Sequence, residues 1–159
     1  MIKFVKELTS VVLEEIPDMV SLAVEISNCQ GNCIGCHSPF LKEDIGEELT
    51  PAEIGKIIDD NYGVNCFLFL GEGNDREALK EAALFIKEQY DLKIALYSGR
   101  TKVEDELYSL FDYVKVGPYI AGYGPLNSPT TNQRLYKITH TEDGNHLKED
   151  ITSRFWKKK

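Results

Sequence analysis

The segment MVSLAVEISNCQGNCIGCH, residues 19–37, connects an apolar run directly to three closely spaced cysteines. Residues 19–26 are rich in Val, Leu and Ile and are predicted to form a buried strand. Residues 27–42 contain glycine, proline and all three of these cysteines, a composition that predicts a loop. A candidate metal-binding loop therefore follows the first predicted strand.

Beyond this loop, strand-like runs alternate with helical patterns. The predicted helices begin at Thr50-Pro51, Asp75 and Lys102 and end near Asn61, Tyr90 and Phe111, and the predicted strands are 65–70, 93–97, 113–116 and 134–138. Such alternation predicts a parallel sheet. The strands are too few for a closed (β/α)₈ barrel, which typically takes about 250 residues. The expected fold is therefore α/β: one domain, 1–159, forming a small open or partial (β/α) barrel with a mostly parallel sheet.

Composition limits the classes of function. The chain has 159 residues and a formal net charge of −8. An acidic domain is a poor candidate for broad nucleic-acid binding, which needs clustered Lys and Arg. No apolar run approaches the roughly 20 residues that span a membrane, and the first residues lack the apolar stretch of a secretory signal. We therefore expect a cytoplasmic protein with neither nucleic acid nor a membrane as partner. In that compartment thiols stay reduced, so clustered cysteines indicate metal binding or catalysis before disulfides.

A candidate site is predicted at the carboxyl ends of the strands, where ligands bind in open parallel sheets. The cysteine loop follows the first strand, and Gly71-Glu72-Gly73 follows the second. Ser98-Gly99-Arg100 follows the third strand, and Gly117-Pro118-Tyr119 follows the fourth. Because parallel strands end at the same edge of a sheet, these polar or glycine-rich segments are expected to meet there.

Cys29, Cys33 and Cys36 are the candidate metal ligands, because thiolates suit iron–sulfur clusters, zinc and Cu(I). Structural zinc needs a fourth ligand, for which His37 or Cys66 is available, but zinc sites usually draw on two separated pairs of ligands. An ordinary electron-transfer cluster also wants four thiolates. Cys66 lies in the apolar run NCFLFL and is predicted to be a core residue, since free cysteine is often buried. A cluster with three protein ligands and one open iron is the third interpretation.

Two motifs carry a resemblance to a known family. The spacing of the cysteines in residues 29–36, after a first strand, resembles that of the radical S-adenosylmethionine superfamily. The segment GPYIAGYGPLNSPTTNQRLY, residues 117–136, is similar to the anaerobic ribonucleoside-triphosphate reductase activating proteins, which are small single-domain members of that superfamily. The resemblance covers most of the chain, from about Met19 to Trp156.

The resemblance implies a fold of the radical S-adenosylmethionine type and an oxidoreductase that activates a glycyl-radical enzyme. It implies a [4Fe–4S] cluster that binds S-adenosylmethionine through its amino and carboxylate groups. One electron from reduced flavodoxin or a similar donor then cleaves this cofactor to methionine and a 5′-deoxyadenosyl radical. That radical removes a hydrogen from a backbone glycine of the partner, the glycyl-radical subunit of anaerobic ribonucleoside-triphosphate reductase.

The resemblance also assigns roles to individual residues. Cys29, Cys33 and Cys36 match the three cluster ligands. Gly35 and His37 flank the third ligand, where the family places backbone around the adenine. Cys36 and these two neighbours are therefore expected to contact the cofactor.

Gly71-Glu72-Gly73 falls where the family has a Gly-Gly-Glu or Gly-Gly-Asp segment that holds the methionine amino group. In this chain the order is altered, so Glu72 is offset by one position. The backbone carbonyls of Gly71 and Glu72, or the side chain of Asp75, are alternative acceptors for that amino group. The plain alternative is a strand-to-helix turn, because glycine serves turns at no steric cost.

Ser98 and Arg100 are further candidate cofactor contacts. A serine hydroxyl can bond a ribose or carboxylate oxygen, and an arginine can pair with a carboxylate. The alternative is that Ser98 or Thr101 caps the following helix. Residues 127–134 are expected to help form the surface that receives the partner's glycine loop, so substitution of Asn132 or Arg134 should impair activation of the partner.

Two other functions stay open at this point. The same scaffold could act on another glycyl-radical enzyme or on a small molecule, although residues 124–134 match the reductase activators. The chain could instead be a non-enzymatic zinc or iron–sulfur module. Metal analysis and visible absorption separate these cases, because zinc is colourless and a ferric–sulfide cluster is brown.

Overall fold

The fold is that of a computed structural model, which describes residues 2–13, 15–17, 19–27, 45–73, 75–98, 103, 105–117, 122–123, 126, 128–142 and 145–155. The strands are β1 (Lys3–Phe4), β2 (Ser10–Val12), β3 (Ser21–Glu25), β4 (Glu47–Glu48), β5 (Cys66–Leu70), β6 (Lys93–Tyr97), β7 (Tyr113–Val116), β8 (Arg134–His140) and β9 (His146–Asp150). The helices are α1 (Pro51–Asp60), α2 (Arg76–Gln89) and α3 (Asp105–Leu110), and 3₁₀ turns occupy Lys6–Leu8 and Thr152–Phe155.

One open sheet organises the described residues. Its seven strands have the order β2-β3-β5-β6-β7-β8-β9, and β1 pairs separately with β4. The central strands β3, β5, β6 and β7 are parallel to one another. Antiparallel strands extend this parallel centre on both sides, β2 next to β3 and the pair β8–β9 next to β7. The fold class is therefore α/β with an open, mostly parallel sheet.

Local sequence explains where the helices begin. The side chain of Thr50 caps α1 by accepting a hydrogen bond from the backbone N–H of Glu53, and Pro51 occupies the first helical position. Asp75 caps α2 in the same way by accepting from the N–H of Ala78. Each helix then buries one apolar stripe, as the sequence periodicity predicts. These stripes are Ile54, Ile57 and Ile58 in α1 and Leu79, Ala82, Ala83 and Ile86 in α2.

The main core lies between the sheet and the three helices that the structure describes. Alternate residues of the parallel strands point to this side, and fully buried examples are Leu22, Val24, Phe67, Phe69, Ile94, Leu96 and Val114. Phe69 contacts the ring of Phe67 at a centroid distance of 4.9 Å and meets Phe111 edge-on at 5.8 Å. Full burial of an aromatic side chain of this kind contributes roughly 1.5–3 kcal/mol, so this layer anchors the helices to the sheet.

The other face of the sheet, against which none of the described α-helices packs, is called the helix-free face. Its inner residues are Ala23, Cys66, Leu68, Ala95, Tyr113 and Leu135. Ile16, from the segment before β3, and Ile151, which follows β9, pack against these residues. Cys66 is fully buried there, which confirms its prediction as a core residue.

The structure confirms most predicted elements and corrects three expectations. The sheet has seven strands, more than the five that the sequence patterns indicated, because short or polar strands add to both sides. The helix predicted from Lys102 is described only at Asp105–Leu110. The strand predicted to end at residue 138 continues to His140, where it pairs with His146. The predicted loop at 27–42 lies, apart from Ser27, outside the described residues.

Phe69→Ala tests the main core. Removing a fully buried ring that contacts two other rings should lower the free energy of unfolding by about 3–5 kcal/mol, as measured by urea denaturation. Phe69→Leu keeps much of the apolar volume and should cost clearly less. Equal losses for the two variants would contradict the packing described here.

Candidate functional site

The parallel register places the ends of four strands side by side. Glu25 of β3 pairs in register with Leu70 of β5, Leu70 with Tyr97 of β6, and Tyr97 with Lys115 of β7. The residues that follow these positions form what we call the carboxyl edge: Ile26 and Ser27, Gly71 to Gly73, Ser98, and Val116 and Gly117. The predicted meeting of the polar and glycine-rich segments at one edge therefore holds for the members that the structure describes.

Backbone hydrogen bonds continue past the strand ends and fix this edge. The N–H of Ile26 donates to the carbonyl of Leu70 at 3.1 Å, and the N–H of Gly71 donates to the carbonyl of Tyr97 at 2.9 Å. The N–H of Ser98 donates to the carbonyl of Lys115 at 2.8 Å. The first residue of each segment is thus held in the same ladder as its strand.

Glu72 and Ser98, both predicted from the sequence, are in direct contact. The Ser98 hydroxyl, which is fully buried, donates a 2.6 Å hydrogen bond to Oε2 of Glu72. A hydrogen bond to a carboxylate is stronger than one between neutral groups. This contact holds the side chain of Glu72, which follows β5, next to the end of β6. β5 and β6 are the second and third of the four parallel strands.

Gly71 and Gly73 allow the turn after β5 to lie against the end of β3. Gly71 has φ +114°, and an added Cβ would lie 3.3 Å from the carbonyl oxygen of Ile26. Gly73 has φ +70°, and an added Cβ would lie 3.0 Å from Cγ2 of Ile26 and 3.5 Å from the carbonyl oxygen of Ser27. The turn therefore contacts the two residues that lead into the cysteine segment. An ordinary turn between a strand and a helix has the same geometry.

Glu25 is a residue of this edge that the sequence analysis did not single out. It is the last residue of β3, and its strand neighbours Val24 and Ile26 belong to the helix-side core, so its side chain lies on the helix-free face. Its Oε2 is buried and has no hydrogen-bond partner among the described residues. Burial raises the pKa of this carboxyl above its ordinary value. The available signal was an acidic residue at the end of a mostly apolar run.

Tyr97 and Lys115 occupy the same row of the helix-free face as Glu25. The Lys115 ammonium lies 4.9 Å from the centroid of the Tyr97 ring. The Tyr97 hydroxyl donates to the backbone carbonyl of Glu15, which ties the segment before β3 to this face. Burial, followed by the nearby Glu15 and Cys66, raises the pKa of Tyr97, so this phenol stays protonated.

The end of β7 is held by the segment that precedes β8. The Gln133 side-chain amide donates to the carbonyl of Gly117 at 3.2 Å, and both Gln133 and Thr131 are buried. Arg134 is partly exposed and lies 3.7 Å from an Oδ of Asp150. Within the predicted partner surface, the described residues 131 and 133 thus have structural contacts, while Arg134 presents part of its side chain to solvent.

Several predicted site residues lie outside the residues that the structure describes. They are Cys29, Cys33, Gly35, Cys36, His37 and Arg100. Across the ranges that are described, no group of three or more His, Cys, Asp or Glu residues could hold a metal ion, and no helix is long and apolar enough to cross a membrane. Burial raises the pKa of the Cys66 thiol to about 12, which disfavours the thiolate that a metal would need.

Comparisons of the chain with protein-family models, with curated proteins and with solved structures find no match. The case for a function therefore depends on the residues of the carboxyl edge and on the sequence motifs.

Ser98→Ala tests the contact between Glu72 and Ser98. Loss of a hydrogen bond to a carboxylate should lower the free energy of unfolding by about 1.5–3 kcal/mol, measured by urea denaturation. In the Glu72→Gln background the same substitution should cost less, because the charge has already gone. Equal costs in both backgrounds would show that the two side chains are not coupled.

Gly71→Ala tests the close approach of the turn to β3. The substitution should cost roughly 1–3 kcal/mol of unfolding free energy, from a strained backbone and from the crowded Ile26 carbonyl. Gly63→Ala is the matched control, because Gly63 has φ +100° but no atom within 4 Å of an added Cβ. Gly63→Ala should therefore cost less; an equal cost would mean that the Ile26 contact contributes nothing.

Proposed function

We propose that this chain is an activase that reductively cleaves S-adenosylmethionine on a [4Fe–4S] cluster and generates a glycyl radical on anaerobic ribonucleoside-triphosphate reductase. The observation that carries the proposal is a juxtaposition at the carboxyl edge. There the Glu72–Ser98 pair and the turn at Gly71 and Gly73 lie against Ile26 and Ser27, directly before the cysteine segment. A carboxylate, a hydroxyl and a closely packed backbone turn thus lie next to the residues that precede the three cysteines.

The donor set fits a cluster with an open iron. Cys29, Cys33 and Cys36 supply three thiolates, one fewer than an ordinary electron-transfer cluster uses. Cys66 does not supply the fourth, because it is fully buried on the helix-free face within the sheet. When bound, such a cluster would supply the electron that cleaves S-adenosylmethionine and a coordination position for its amino and carboxylate groups.

The described residues support binding of the methionine end of this cofactor. Glu72 is an acceptor, and the hydrogen bond from Ser98 holds its carboxylate at the edge. A carboxylate in this position can accept hydrogen bonds from an ammonium group. The backbone carbonyls of Gly71 and Glu72 are the alternative acceptors for that ammonium group.

The fold supports the same proposal. The parallel strands β3, β5, β6 and β7 carry the described helices on one face, and on the helix-free face their last row, which contains Glu25 and Lys115, lies at the carboxyl edge. We take this as the partial (β/α) barrel of a radical S-adenosylmethionine enzyme, to which antiparallel strands have been added. In open α/β sheets ligands bind beyond the carboxyl ends of the strands, which agrees with the location of the Glu72–Ser98 pair.

The partners and the compartment follow from this chemistry. The proposed substrate is the glycyl-radical subunit of anaerobic ribonucleoside-triphosphate reductase, and the electron donor is reduced flavodoxin or a similar carrier in the cytoplasm. The surface around residues 127–134 would receive the partner's glycine loop, with the half-exposed Arg134 as its described charged residue. Arg134 substitution should then reduce activation of the partner without reducing iron content.

Cysteine substitutions test the proposal with a matched control. After anaerobic reconstitution with iron and sulfide, the wild type should hold about four irons per chain and release 5′-deoxyadenosine when S-adenosylmethionine and a strong reductant are added. Cys33→Ala should lose both properties. Cys66→Ala changes the same residue type in the core and should keep both, at a modest cost in stability.

A second result would reject the proposal. A wild-type protein that holds one zinc ion, stays colourless and releases no 5′-deoxyadenosine would be a binding module with a structural metal. Loss of iron in Cys66→Ala to the same extent as in Cys33→Ala would instead indicate an ordinary cluster with four thiolates.

A further inference from the structure

The side chain of Glu25 has an environment that the fold alone does not explain. Its Oε2 is buried and lacks a hydrogen-bond partner in the ranges that the structure describes. A buried polar atom without a partner costs about 1–3 kcal/mol, and such atoms in native proteins call for a specific reason. One recognised reason is a ligand that supplies the missing partner.

The position of Glu25 indicates which ligand. It is the last residue of β3, and Cys29 follows four positions later. Its register partner Leu70 immediately precedes Gly71 and Glu72. Glu25 therefore lies on the helix-free face at the carboxyl edge, below the point where the turn after β5 and the start of the cysteine segment meet.

Lys115 is the other charged residue in the row formed by Glu25, Leu70, Tyr97 and Lys115. Lys115 extends its ammonium over the ring of Tyr97, 4.9 Å from the centroid. Tyr97 lies two strands away from Glu25, a separation of roughly 10 Å at the usual strand spacing. Leu70, the residue between them in the row, is apolar. Along the row from β3 to β7, the Glu25 carboxyl therefore has an apolar neighbour, and the positively charged Lys115 belongs to a strand beyond that of Tyr97.

We propose that Glu25 accepts a hydrogen bond from an O–H or N–H group of bound S-adenosylmethionine, which makes it a further cofactor-binding residue. This inference rests on the proposed function. The shared chemistry is a polar donor on the cofactor, and two parts of the molecule can supply it: the nucleoside, through its ribose hydroxyls or its adenine amino group, and the methionine, through its ammonium group.

The test compares cofactor affinity in Glu25→Leu and in a matched control. Leucine removes the acceptor and replaces it with an apolar side chain of similar size. Glu53→Leu is the control, because Glu53 also has a buried Oε2 without a partner among the described residues, but it lies on α1, which packs on the helix-bearing face. Binding of S-adenosylmethionine to the anaerobically reconstituted proteins is measured by equilibrium dialysis. Glu25→Leu should weaken it at least tenfold, and Glu53→Leu by less than twofold.

The melting temperature of the unligated proteins distinguishes a ligand-binding role of Glu25 from a structural one. If the ligand is the partner of Glu25, the free protein gains nothing from the carboxylate, and Glu25→Leu should leave its melting temperature unchanged or raised. A lower melting temperature together with weaker binding would assign Glu25 a structural partner within the chain and overturn the inference.

Binding of 5′-methylthioadenosine identifies the donor. This compound keeps the adenine and ribose but lacks the amino and carboxylate groups. If Glu25→Leu weakens its binding as well, the nucleoside supplies the hydrogen bond; if only S-adenosylmethionine is affected, the methionine part does. Both results support the inference.

Two outcomes overturn it, and they are distinguishable. Wild type that binds the cofactor, with Glu25→Leu binding it within twofold, rejects the role of Glu25 and leaves the proposed function intact. Reconstituted wild type that does not bind S-adenosylmethionine at all rejects the proposed function, and the inference about Glu25 falls with it.

Discussion

The parallel register of β3, β5, β6 and β7 is the constraint on which the candidate site depends. Because Glu25, Leu70, Tyr97 and Lys115 are paired in one row, the segments that follow them must begin side by side. Hydrogen bonds that extend past the strands, such as that from Gly71 to Tyr97, carry this alignment into the loops. The contact between Glu72 and Ser98 is a consequence, since neither residue could reach the other if the strands were shifted by two positions.

The two faces of the sheet differ in composition at the carboxyl edge. On one face Phe67, Phe69 and Phe111 pack with the helices and make the carboxyl edge a rigid platform. On the helix-free face the inner rows are apolar and covered, for example by Ile16, whereas the last row contains Glu25 and Lys115. Polar groups therefore occur where that face meets the carboxyl edge, as expected of a site built on a packed scaffold.

The sequence was sufficient for elements with a strong local pattern. The apolar strands and the capped helices that begin after Thr50 and Asp75 follow from periodicity and capping, and the order of segments at the carboxyl edge follows from parallel connectivity. It was insufficient for β1 and β4, which have two residues each, and for β9, whose polar sequence HLKED is held as a strand by pairing with β8. Glu25 was not singled out because the surroundings of its side chain depend on which face of β3 is covered, and only the tertiary fold determines this.

We propose that the carboxyl edge serves radical transfer to a partner protein. The most direct measurement is electron paramagnetic resonance of anaerobic ribonucleoside-triphosphate reductase after anaerobic incubation with the reconstituted chain, S-adenosylmethionine and a reductant. We expect a stable glycyl-radical signal on the reductase, and this signal should disappear when the Cys33→Ala variant is used or S-adenosylmethionine is omitted. Release of 5′-deoxyadenosine without any radical on the reductase would contradict the assigned partner, and absence of both would contradict the account as a whole.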